Sequence, residues 1–188
     1  MFDGHDDFLR LQSRSFVGVG LVVFTGTSGS GKSTALEFLR RRHPDFAGRN
    51  WVTVNRGRCG LRFPRCRGCV VAIDEVVALQ ELWPLAGLLR HNQVLVAAHL
   101  PRICFTLFAG TCRMRLFRTD LDRGKIARSL ARRGIGFSEA AVDDYCRVYG
   151  ANYIDLEHIL ERWPAADFDR SYAAFRRLCR VRRTPWGR

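Results

Sequence analysis

The stretch "GTSGSGKST", Gly26 to Thr34, constrains this chain more than any other feature. It satisfies the spacing G-x-x-x-x-G-K-[ST] through Gly26, Gly31, Lys32 and Ser33. Glycines at those positions let the backbone curl so that successive N–H groups converge on one anion. Such a turn works only between a strand and a helix, because the helix start adds its positive end to the same anion. Both flanks fit: "FVGVGLVVFT", 16–25, reads as a buried parallel strand and "STALEFLRRRH" as a helix with its arginines in the last turn. The candidate phosphate cradle is therefore Gly26, Thr27, Ser28, Gly29, Ser30, Gly31, Lys32, Ser33 and Thr34. Lys32 would place a point charge at the β and γ phosphates, and the Ser33 hydroxyl would ligate Mg²⁺.

A phosphate cradle of this kind needs a second strand ending in an acid. "CVVAIDE", 69–75, supplies Asp74 as the expected Mg²⁺ partner, through water, with Glu75 beside it. An aspartate followed by a glutamate at a strand tip can hold the metal and polarise an attacking water, Glu75 acting as base. The plainer alternative is an exposed acid pair capping the next helix. "QVLVAAH", 93–99, is a third buried strand, and it ends at His99. If the loop strand and the acid strand flank it, His99 faces the γ-phosphate as a sensor; otherwise it is a structural histidine.

The remaining segments place a short strand at 51–55, a Gly/Pro/Arg loop or hairpin at 56–68, a helical patch at 76–90 and a last strand at 113–120. From Leu121 onward four amphipathic helices are expected, near 121–133, 138–149, 153–163 and 166–182. Ser138 suits an N-cap, Gly150 a C-terminal stop, and Pro164 separates the last pair. The division is an N-terminal extension 1–15, a strand–helix core 16–120, a helical subdomain 121–183 and a tail 184–188. The fold class is α/β, a three-layer sandwich around a mostly parallel sheet of about five strands, with helices appended at the C-terminus.

The formal charge of +13 and pI near 10.5 favour polyanionic partners. Lysine occurs only at Lys32 and Lys125, so the excess is arginine, which a GC-rich genome also produces. Arg56, Arg58, Arg62, Arg65 and Arg67, with Phe63 among them, suit phosphate contacts plus a base-stacking ring, or a solvated basic loop. Arg176, Arg177, Arg180, Arg182 and Arg183 form a second cationic stretch. Cys59, Cys66 and Cys69 have a spacing that can hold zinc, with no fourth ligand evident nearby. The odd number of cysteines, the acidic start and the lack of a long apolar run point to reduced thiols, no membrane span and a cytoplasmic location.

Together the loop, the acid pair and the histidine-tipped strand resemble the additional-strand P-loop NTPases with a catalytic glutamate, the group holding AAA+ and ABC ATPases. "GTSGSGKST" and "LVAAH" are similar to ABC proteins, but the interval from Lys32 to Asp74 has no room for the ABC helical subdomain, and no "LSGGQ"-like string occurs. The stretch "TDLDRGKIARSLARRGIGFSEAAVDDYCRVYGANYIDLEHILER" resembles instead the lid of AAA+ initiator and loader ATPases, through Gly134-Ile135, Ser138 and the string from Asn152 to Glu157. That resemblance implies ATP and Mg²⁺ as ligands, hydrolysis with Glu75, Lys32 and His99 as catalytic residues, metal at Ser33 and Asp74, and a lid closing over the nucleotide. It also implies work on nucleic acid or on a protein partner, a second copy included. The family's lid arginine would fall at Ile154, and Arg102 and Arg113 stand where a neighbour-reaching arginine would be. Two other readings stay open: a P-loop kinase phosphorylating a small molecule, and a nucleotide-binding switch without turnover.

Overall fold

The computed structural model describes residues 7, 9–54, 63–120 and 122–182. They fall into two compact units that part between Asp120 and Leu121.

The first unit is built on five strands: β1 Leu21–Thr25, β2 Trp51–Val54, β3 Val70–Val76, β4 Gln93–Ala98 and β5 Met114–Arg118. All pairings are parallel, in the order β2-β3-β4-β1-β5. The fold is thus α/β, and β4 does lie between β1 and β3. Every residue of β1 and β4 is buried, as their unbroken apolar composition requires for strands covered on both faces. Leu21, Val23, Ile73, Val94 and Val96 face one layer, packed by Leu82, Leu85, Leu88, Phe105 and Phe108. Val22, Phe24, Leu95 and Ala97 face the other, under Leu36, Phe38 and Leu39 of helix α1, Lys32–Arg42. Period-two alternation in the central strands therefore builds two cores and three layers.

Several boundaries differ from expectation. The first strand starts at Leu21 rather than at 16, because residues 16–20 turn instead of extending, with Val19 N–H donating to Phe16 O at 3.1 Å. The helical patch at 76–90 is two pieces, a 3₁₀ turn at Leu79–Leu82 and helix α2, Trp83–Leu89. Pro84 in the first turn of α2 has no N–H to give, which suits the start of a helix and not its interior. A 3₁₀ segment at Arg102–Phe108, absent from the sequence expectation, follows β4. Arg56, Arg58, Arg62 and Cys59 lie outside the described residues.

The second unit is helical: α3 Arg123–Arg132, α4 Glu139–Tyr149, α5 Tyr153–Arg162 and α6 Phe168–Arg182. Side-chain caps start three of them. Asp122, Ser138 and Asn152 accept from the N–H groups of Gly124, Ala141 and Ile154 at 3.0, 3.2 and 2.9 Å. Gly150 ends α4 at φ 69°, as expected. Ile126, Leu130, Val142, Leu156 and Ile159 are buried, as are Tyr145, Phe168 and Tyr172, whose rings pack on one another. Among the described residues no helix is long and apolar enough to cross a membrane.

Candidate functional site

In an open parallel sheet the carboxyl ends of the strands leave a crevice where ligands collect. The carboxyl ends of β1, β3 and β4 carry the residues singled out from sequence. The turn from Gly26 to Gly31 joins β1 to α1, whose first residue is Lys32. Lys32 is 6% exposed, and its Nζ donates to Gly26 O at 2.9 Å and Thr27 O at 2.6 Å. Burial pulls its pKa down, while Asp74 and Glu75 push it back up.

Ser33 Oγ donates to Asp74 Oδ1 at 3.0 Å, so the hydroxyl at the helix start and the acid of β3 meet directly. Asp74 Oδ1 also accepts the Glu75 N–H at 3.0 Å. Glu75 sits in the left-handed region, φ 61°, where the β3–β4 register slips between Ile73 and Val76. A bulge of this kind re-aims the side chain, and the Glu75 carboxylate is exposed at the strand tip. Pairing resumes beyond it, where His99 N–H donates to Val76 O at 2.8 Å. Burial and the Lys32 charge lower the pKa of His99, against the opposing pull of Glu75 and Asp74. Lys32, Asp74, Glu75 and His99 therefore share one electrostatic environment.

Two contributors escaped the sequence reading. Thr119, just past β5, pins the glycine turn from beneath: its N–H donates to Thr25 O at 2.8 Å and its Oγ1 lies 2.6 Å from the buried Ser30 Oγ. Ser30 Oγ donates in turn to Thr27 O at 2.8 Å. The approach is so close that a Cβ on Gly26 would fall 2.2 Å from Thr119 O, which explains glycine there by packing. Glu81 is the second. It is 8% exposed, and Oε2 accepts the N–H groups of Val77 and Ala78 at 2.8 and 3.0 Å, fixing the turn after the bulge. Thr119 has no motif around it because it acts on distant chain. Glu81 stands at the third helical position of a capping box whose first residue, Ala78, lacks the side-chain oxygen that would mark it in the sequence.

Thr27 and Ser28 are exposed, and Gly29 and Thr34 half-buried. A cavity of about 590 Å³ opens between Thr25–Ser28 and His99–Arg102, with Arg118 on its wall. A smaller one, about 270 Å³, lies beside Ser33 and Asp74 and is lined by Glu37, Arg40 and Trp51. Arg102 thus stands at the turn. Arg113 does not: its carbonyl accepts from Gly20 and Leu21, at the opposite end of the sheet.

The zinc expectation gains no support in the described residues, where no three His, Cys, Asp or Glu side chains are grouped so that they could hold a metal ion. Cys66 and Cys69 are free thiols, and burial and then Cys69 push the Cys66 pKa up.

Comparison with protein-family models and with curated proteins gives no match.

Proposed function

We propose that the chain binds ATP with Mg²⁺ and hydrolyses it to ADP and phosphate, coupling nucleotide state to conformational work. The observation that supports this reading is the convergence of Lys32, the Ser33–Asp74 pair, Glu75 and His99 around one glycine turn at the carboxyl ends of three adjacent strands. A β4 strand between β1 and β3 is the order expected of the additional-strand P-loop NTPases.

The donor set fits the ligand. The turn between β1 and α1 packs so closely on Thr119 that it has no room for a side chain at Gly26. The start of α1 carries N–H groups without intrahelical acceptors. Ser33 and Asp74 already touch and form the hard oxygen pair that Mg²⁺ takes alongside phosphate oxygens and water. Bound there, the metal would neutralise charge on the phosphates. Lys32, now held on the Gly26 and Thr27 carbonyls, exchanges them for phosphate oxygens. Glu75 accepts the proton of the attacking water at its carboxylate while the bond to the γ-phosphorus forms and ADP leaves. His99 donates from its ring to the terminal phosphate and so reports the triphosphate to β4. The helical unit supplies the AAA+-like lid in this reading, and the C-terminal helices carry the conformational change.

The test is phosphate release from ATP without any added acceptor. Glu75→Gln is expected to bind ATP and lose turnover by about 10²–10⁴-fold, the usual worth of a general base. Phosphate transfer that requires a small-molecule acceptor would install the kinase reading instead. Nucleotide binding with no turnover in the unsubstituted chain would leave a switch.

A further inference from the structure

Many of the described arginines meet a carboxylate, among them Arg40, Arg41 and Arg118 in the sheet unit. In the helical unit Arg123, Arg133, Arg147 and Arg176 each meet a carboxylate. In the sheet unit Arg65, Arg67 and Arg90 form no ion pair with a described acid. The sequence explains why: no Asp or Glu lies between Asp45 and Asp74, and none between Glu81 and Asp120. Glu81 itself is buried, its carboxylate turned to main-chain N–H groups.

These two acid-free segments form the walls of one groove of about 470 Å³. Phe63, Arg65 and Arg67 line one side, Pro84 and His91 the other. Asn92, 9% exposed, holds the walls together: its Nδ2 donates to Cys66 O at 3.0 Å and Leu88 O at 3.1 Å, and its Oδ1 accepts from Cys69 N–H at 3.1 Å. Gly68 N–H adds a bond to His91 O at 2.8 Å. The groove is therefore preformed. Next to Pro84, at the start of α2, the Trp83 side chain stands in solvent, 88% exposed.

We propose that this groove binds single-stranded nucleic acid, with Arg65 and Arg67 on successive phosphates and Trp83 stacked on an unpaired base. Cations without counter-charges supply the affinity for a phosphate backbone. A flat ring presented to water selects a partner with exposed π-faces, which a duplex hides and an acidic protein surface does not offer. The inference names the polymer on which the ATPase reading would act and rests on that reading for the work alone. Binding is measured without nucleotide, so the two fail separately.

The experiment is fluorescence anisotropy of labelled 15-mers of dT and of U with the full chain, across a salt series. Binding is expected to weaken with salt. Arg65→Ala/Arg67→Ala should lower the log–log salt slope by about 1.4, since each phosphate contact on a single strand is worth about 0.7. Trp83→Ala should weaken binding on the order of tenfold with the slope unchanged. The tighter of the two oligomers identifies the sugar. Circular-dichroism melts check folding, with Arg65→Gln/Arg67→Gln and Trp83→Leu as replacements for any variant that does not fold. The proposal is overturned by no binding at low salt, by variants that bind like the parent chain, or by poly-glutamate competing as well as the oligomer at equal charge.

Discussion

Glu75 has a backbone that only glycine adopts without cost, φ 61°, and it is also the residue assigned the catalytic carboxylate. Stability and chemistry should therefore oppose each other at this position. Holding an L-residue in the left-handed region costs about 1–2 kcal/mol. Glycine removes that cost and gives back about 0.5–1 kcal/mol through the greater freedom of its unfolded chain. Both Glu75→Ala and Glu75→Gly lose the carboxylate, so their difference isolates the backbone. The glycine variant should be the more stable by about 0.5–1 kcal/mol. That corresponds to roughly 1–4 °C in the melting temperature of a chain this size. Differential scanning calorimetry of the pair reads the difference, and an ATPase assay should find both inactive. An alanine variant as stable as the glycine variant, or more so, would refute the argument, because the bulge would then hold no strain.

Other substitutions probe the supports of the site. Gly26→Ala would drive a methyl group to 2.2 Å from Thr119 O, and the backbone shift that relieves it should cost about 1–3 kcal/mol, read as a lowered melt with weakened ATP binding. Glu81→Ala leaves the Val77 and Ala78 N–H groups without their carboxylate and should cost about 1.5–3 kcal/mol, while Glu81→Gln, which keeps an acceptor oxygen, should recover part of it in a urea titration. His99 has its pKa lowered from 6.5 by burial and Lys32, so the unfolded chain takes up its proton first as pH falls. Its contribution is complete above pH 6.5 and is lost as pH falls below that value towards the lowered folded one; His99→Asn should flatten that part of the stability–pH curve. Lys32→Ala should weaken ATP binding measured by calorimetry, and a variant that binds ATP as the parent does would remove Lys32 from the phosphate site.

Local features were legible in the sequence because their causes are local. The strand–turn–helix around "GTSGSGKST" follows from glycine spacing between an apolar run and an amphipathic one. The cap at Ser138 follows from a side chain that bonds to its own neighbourhood, and the stop at Gly150 from a left-handed turn that glycine adopts freely. Buried β1 and β4 announce themselves by unbroken apolar composition, since a strand covered on both faces has no polar side to show. What joins distant segments was not legible. Strand order put β4 between β1 and β3, and so placed His99 beside Lys32 and the two acids. Thr119 reaches the glycine turn only because β5 pairs with β1, and Glu75 takes its left-handed backbone only because β3 and β4 slip register at the tip. Likewise, the acid-free stretches on either side of Asp74–Glu81 could be counted in the sequence, but only the Asn92 clamp makes them face each other across a groove. Residue types and their spacing set what each segment can do alone, whereas pairing and packing over long separations decide which of those abilities meet in space.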